Sequence, residues 1–399
     1  MSLQTNLKLS LDEGLQACLD TLETLLPEMI EIRRHLHQYP ELSHREVETP
    51  KLIAKFYRDL GIDVRTEVGG RGVVATFRVE NPVKAIAFRA DFDALPIQDA
   101  KEVPYKSKNL GVSHACGHDG HTAALLGFAK SLVENKERIR HNVVLIHQFG
   151  EELYPGGAMA MIEDGCLEGV DAIYGCHLQS MMPSGTMYYR EGYIQAAVDT
   201  FEIKVNGKGG HGAVPHEAVD PIVVASHIVT ALQTIVSRST DPLEQLVVSV
   251  GSIHAGDANN VIPGEAVMTG TIRSYAPETR KMAREKLANI ASGVADALGA
   301  RAEANLESGY DALWNHKAET AVVKNAMEVI FDEGNVLETP PVMPGEDFSY
   351  YTQKVPGSIF FAGACPKGGP YPHHHAKFDF DEKAMLSTAK TFMAILHQY

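Results

Sequence analysis

The feature that most constrains this chain is an interruption in its pattern. Apolar residues recur at helical spacing through Leu15, Leu19, Leu22, Leu26, Met29 and Ile30, and again through Leu52, Ile53, Phe56, Tyr57 and Leu60, where Gly61 stops the helix. Short β-branched runs (72–79, 84–88), a helix (121–134), a strand (143–149), a helix (156–164) and an apolar strand (171–177) then alternate, as in a sheet covered on both faces by helices. From about Val198 the texture changes. A strand (201–205), a long helix (219–236), two strands (246–253, 266–273), a helix (278–298) and a strand (302–307) give the order β-α-β-β-α-β, a split βαβ unit. Helix 318–331, strand 358–364 and helix 382–397 resume the earlier alternation. The pattern predicts an α/β protein. Its larger domain, residues 1–195 and 309–399, has a helix-covered mixed sheet, and a smaller α+β, ferredoxin-like domain at 196–308 is inserted into it.

Composition narrows the function. A chain of 399 residues exceeds the roughly 150 expected of one domain, and 44% apolar residues exclude wholesale disorder. The 36 Lys and Arg against 51 Asp and Glu give a net charge of −15, which repels a phosphate backbone or an anionic bilayer, so neither nucleic acid nor a membrane is expected as partner. No run of 18 apolar residues is present, and the first thirty residues contain no unbroken apolar core. Five scattered cysteines (Cys18, Cys116, Cys166, Cys176, Cys365) do not form a disulfide framework and point to a reducing, cytoplasmic compartment.

Two motifs fail on context. Gly207, Gly209 and Gly212 fit a dinucleotide glycine pattern, but Pro215 follows where the turn should open into a helix. His216 and Glu217 begin like a zinc-protease helix, yet Asp220 stands where the second histidine belongs. No serine-nucleophile elbow or phosphate-loop lysine is present.

Four other clusters carry chemistry. Cys116 and His118 flank Gly117 in a turn that allows thiolate and imidazole to converge on one ion; alone, they also fit an inert buried thiol and a helix cap. Glu151 and Glu152 follow an apolar strand, so one carboxylate can bind metal while its neighbour takes a proton; alone, they fit a solvated acidic loop. Cys176 and His177 end another strand, and His373, His374 and His375 lie in a loop after a third. In an open sheet such strand ends gather at one edge, and their coincidence points to a metal centre.

The stretches Arg89 to Pro96, His114 to His121, Gln148 to Gly157, Gly209 to Pro215, Asn260 to Pro263, Gly270 to Arg273 and Glu346 to Ser349 resemble the metal-dependent aminoacylase and carboxypeptidase family, nearest its hippurate and indole-acetyl-amino-acid hydrolases. The resemblance implies two divalent ions per subunit, manganese or zinc, held by Cys116, His118, Glu152, His177 and His374, with Glu151 as general acid/base. His374 precedes Phe378 by the interval the family keeps, although Ala376 replaces a usual proline. The resemblance further implies Asp91 behind the ligands and His211 as an oxyanion donor reaching the other subunit of a homodimer formed through the inserted domain. Asn260 and Arg273, on that domain, are candidates to grip a substrate carboxylate. The expected reaction is hydrolysis of N-acyl amino acids to a carboxylic acid and an amino acid. Cleavage of small peptides is the nearest alternative, and a non-catalytic metal-binding scaffold a more distant one.

Overall fold

The computed structural model describes residues 11–399, and the chain forms two compact units: Met1–Gly192 with Trp314–Pro340 and Asp347–Tyr399, and Tyr193–Leu313 with Pro341–Glu346. The first unit opens with α1 (Glu13–Gln38), capped by Asp12, whose carboxylate accepts the Leu15 N–H at 2.7 Å. It continues through α2 (Glu48–Asp59), β1 (Asp63–Val68), β2 (Gly72–Phe77), β3 (Ala85–Asp91), α3 (His118–Glu134), β4 (Asn142–Gln148), α4 (Ala158–Glu163), β5 (Ala172–Gln179) and β6 (Met187–Tyr189). After β7 (Gly192–Gln195) the second unit holds β8 (Ala197–Asn206), β9 (Gly210–His211), α5 (Pro221–Thr234), β10 (Leu246–His254), β11 (Val261–Ile262), β12 (Glu265–Ser274), α6 (Pro277–Ala297) and β13 (Arg301–Ser308). The chain returns through β14 (Leu313–Asn315) to α7 (Lys317–Ile330), β15 (Val336–Glu338), α8 (Ser349–Thr352), β16 (Gly357–Gly363) and α9 (Lys383–Leu396).

The first unit is built on an eight-stranded sheet in the order β1-β2-β4-β3-β5-β16-β6-β15. Its centre, β4, β3, β5 and β16, is parallel, while β1, β2 and β6 enter antiparallel pairs, so the sheet is mixed. β16 is buried along its whole length, which explains why it reads as an unbroken apolar run rather than an alternation. Helices α1, α3 and α9 pack against one another, and α7 joins them through α9. Strand β1 escaped the sequence reading because its side chains are mostly exposed and polar.

In the second unit the antiparallel order β10-β12-β8-β13 places the strands second, third, first and fourth, the arrangement of a split βαβ unit. Val224, Ile228 and Leu232 of α5 and Ala283, Leu287 and Ala291 of α6 share one core with Phe201, Ile203, Met268 and Ile272 of the sheet. Asp220, the residue that spoils the zinc-protease motif, is the N-cap of α5, with Pro221 in the first turn. By length and composition the helix Pro221–Ser239 is apolar enough to cross a membrane, but its inner face belongs to that core.

Candidate metal centre

Because β3, β4, β5 and β16 run parallel, their C-terminal ends open onto one edge of the sheet. β4 leads into Glu151 and Glu152, β5 carries His177, and the connection from β16 to α9 carries His373 and His374. Cys116 and His118 lie at the start of α3, three residues earlier than the periodicity predicts. Gly117 caps that helix at φ 100°, a left-handed conformation that suits glycine.

These segments meet. Cys116 Sγ lies 3.5 Å from His177 Nε2 and 3.6 Å from His373 Nδ1. His374 Nε2 is 3.2 Å from Glu152 Oε2, while His118 Nε2 is 3.8 Å from Glu152 Oε1 and 3.9 Å from Glu151 Oε2. Potential donor atoms of Cys116, Glu152 and His374 all lie within 4.8 Å of one another, as do those of His118, Glu151 and Glu152, and of Cys116, His177 and His373. The His374 N–H donates to Ala115 O at 2.8 Å, tying the histidine loop to the Cys116 turn. Both His373 and His374 therefore reach the cluster, where the sequence reading selected His374 alone.

Electrostatics show what the cluster needs. Burial, with Glu152, Glu151 and Asp91 nearby, holds the Cys116 thiol well above its ordinary range. Burial would lower His118, but Asp91, Asp93 and Glu152 outweigh it and raise the imidazole to about 10. Burial holds His177 well below its usual value and takes His373 down to about 3, leaving both rings neutral and their lone pairs available. The buried atoms His118 Nε2 and Glu152 Oε1 have no hydrogen-bond partner. Such atoms are costly in a protein interior unless something polar or cationic lies against them. Thiolate, imidazole and carboxylate are a donor set for zinc, and its carboxylates also suit manganese, so the side chains fit a divalent centre.

The supporting contacts extend beyond Asp91. Asp91 Oδ1 lies 2.6 Å from His121 Nδ1 and 3.8 Å from His118, whereas Asp93 Oδ1 sits 3.1 Å from His118 Nδ1. Asp93 Oδ2 also accepts the Glu152 N–H at 3.0 Å, so this carboxylate touches two donor-bearing segments. His121 Nε2 accepts the Leu178 N–H at 3.0 Å, which pins α3 to β5 next to His177. Behind them, the Arg89 guanidinium donates to Asp91, Gln148 and Asp347 at 2.6, 3.0 and 2.9 Å. Sequence reasoning missed Asp93 and His121. Their residue types stood in the sequence, as the second Asp of Asp-x-Asp at the end of β3 and as a histidine three residues after His118, but neither spacing says which group each one meets.

The remaining candidates lie in the second unit. His211 pairs with Val261 across β9 and β11, and Gly212 N–H donates to Asn260 O at 2.8 Å, so the glycine-rich turn and the Asn260 segment are neighbours. Ala213 N–H donates to His211 Nδ1 at 3.0 Å, leaving Nε2 to carry the ring proton on an exposed side chain. Arg273, on β12, donates to Thr271 Oγ1 and Ile272 O.

Comparison with known proteins identifies the family. The putative amidohydrolase YhaA of Bacillus subtilis is 48% identical over 392 residues, covering 98% of this chain and 97% of that protein. The N-acetyl-L-cysteine deacetylase of Bacillus subtilis is 41% identical over 368 residues, covering 92% and 87%. The crystal structure of Bacillus subtilis YXEP, described as a dinuclear metal-binding peptidase of the M20 family, superposes with a TM-score of 0.81 at 33% identity, covering 94% of this chain and 98% of that one. Residues 87–398 match peptidase family M20/M25/M40, and the chain belongs to that family.

Proposed function

We propose that this protein hydrolyses the amide bond of N-acyl amino acids, releasing a carboxylic acid and a free amino acid, with two divalent ions held by Cys116, His118, Glu152, His177 and His374. It is a metal-dependent amidohydrolase. One observation carries the residue assignment: a thiol, imidazoles and a glutamate from four distant segments converge beside the carboxylate of Glu151. Divalent ions held there would lower the pKa of a water toward about 7 and would polarise the scissile carbonyl. Glu151 accepts the proton released as water adds to the carbonyl and returns it to the departing nitrogen, because an unprotonated amide anion is a very poor leaving group.

His211 is the oxyanion donor, acting on the site of the other subunit of a homodimer. Its Nε2–H supports that role, and Ile222 and Val223 of α5, both exposed, support the second unit as the dimer contact. Asn260 and Arg273 bind the substrate carboxylate, and the second unit, residues 196–308 on the sequence reading, serves as lid and dimerisation domain. All five cysteines are free thiols, which supports a cytoplasmic location. The test is release of glycine from hippurate by protein loaded with zinc or manganese. Glu151→Gln should lower kcat by about 10²–10⁴-fold; undiminished turnover would remove Glu151 from its role, and cleavage of peptides in preference to acyl amino acids would favour a peptidase.

A further inference from the structure

The segment between α1 and α2 contributes nothing to the donor set, yet three of its side chains hold the loop that carries Glu151 and Glu152. Ser43 Oγ donates to Asp93 Oδ2 at 2.6 Å, the same oxygen that accepts the Glu152 N–H. His44 Nε2 lies 2.9 Å from Leu153 O, and Glu46 Oε1 accepts the Gly150 N–H at 2.9 Å. Two carboxylates thus grip alternate amides, Gly150 and Glu152, with Glu151 between them. Gly150 is left-handed at φ 67°, and a Cβ there would stand 2.7 Å from His44 Cε1, so the loop backbone lies close against the His44 ring.

The segment is itself anchored at both ends. Glu41 accepts the Glu48 and Thr49 N–H groups at the start of α2, and Ala94 N–H donates to Glu41 O at 2.8 Å. Arg71 donates to Glu46 O at 2.6 Å. Glu46 is fully buried, and its second oxygen, Oε2, has no hydrogen-bond partner and meets only the Arg71 guanidinium, Nε at 4.0 Å. A half-satisfied buried carboxyl is a poor choice for stability, since an apolar side chain would fill the space without that desolvation cost. Apart from that long ion pair and its own segment, what it reaches is the Gly150 amide of the neighbouring loop.

We propose that Glu46 is a positioning residue for the metal centre: by fixing the Gly150 amide it sets the directions in which Glu151 and Glu152 leave the loop. The proposal rests on the roles given above to those two residues. The experiment compares full-length Glu46→Leu, which keeps bulk and loses the acceptor, with Glu46→Gln, which keeps an acceptor oxygen, and uses Glu152→Gln as reference. Zinc affinity is read by competition with a chromogenic chelator, and kcat and KM with an acyl amino acid. Glu46→Leu should bind zinc at least about tenfold more weakly, with kcat reduced and KM within about twofold. Glu46→Gln should stay within about threefold of the parent in both. A folded Glu46→Leu with parental zinc affinity and kcat would overturn the proposal, as would Glu46→Gln falling as far as Glu46→Leu. If Glu46→Leu does not fold, Glu46→Asp, which withdraws the acceptor by one methylene, takes its place: weakened zinc binding is expected and parental binding overturns. Should Glu152→Gln keep full zinc affinity, the ligand assignment fails and the brace has nothing to position; should it alone lose affinity, only the brace fails.

Discussion

At the scale of single residues, Asp93 is the most informative side chain after the donors. It is buried, and its two oxygens serve His118 Nδ1 on one side and Ser43 and the Glu152 amide on the other. A carboxylate on Nδ1 fixes which imidazole nitrogen is protonated and turns Nε2 toward the centre. Asp93→Ala should therefore weaken metal binding by about 10–100-fold, read by chelator competition; unchanged affinity would show that packing alone holds His118. The donors themselves were legible in the sequence, because thiol, imidazole and carboxylate are chemically distinctive and sat at strand ends. Asp93 and His121 were not. Which of two aspartates reaches which histidine depends on where β3 and α3 lie, and Asp91 and Asp93 share a strand-end spacing that offers no local way to choose.

At the scale of elements, α1 is tied to α3 by a buried arginine. Arg33 of α1 donates to Asp119 of α3 at 2.9 Å, to Asp379 at 2.7 Å and to Glu382 at 3.2 Å, and its guanidinium lies over the rings of Tyr105 and Phe380. Asp119 also lies 2.7 Å from His37 Nδ1. One cation therefore joins α1, the donor-bearing start of α3 and the approach to α9. Arg33→Met should cost about 3–5 kcal/mol, because it leaves Asp119 buried without its principal counter-charge; urea denaturation of the metal-free protein measures it, and an unchanged midpoint would show that His37 suffices. The periodicity of α1 indicated a helix but not this contact, since an arginine in an amphipathic pattern reads as a solvated face. The same limit applies to the start of α3, where His118 belongs to the helix although the apolar repeat begins later.

At the scale of the whole molecule, the residues assigned to catalysis are divided between the units: Glu151 in the first and His211 in the second. If His211 serves the partner's site in a homodimer, Glu151→Gln and His211→Ala subunits, each inactive alone, should complement when mixed and reassociated. Half of the dimers would then be mixed, each with one complete site, so activity should return to about a quarter of the parental level. No recovery in verified mixed dimers would place His211 in its own subunit's site or outside catalysis.

The sequence by itself determined the main helices and the apolar strands, though not the polar β1 or the short strands, together with the β-α-β-β-α-β interruption and the residue types able to hold a cation, because periodicity and side-chain chemistry are local properties. Tertiary structure alone decided that both His373 and His374 come to the cluster, that Asp93 rather than Asp91 meets His118, and that Glu46 holds the loop of Glu151. Those outcomes depend on the order in which strands lie side by side in the sheet and on the direction each buried side chain takes to satisfy its hydrogen bonds. Neither is written in the spacing of residues along the chain.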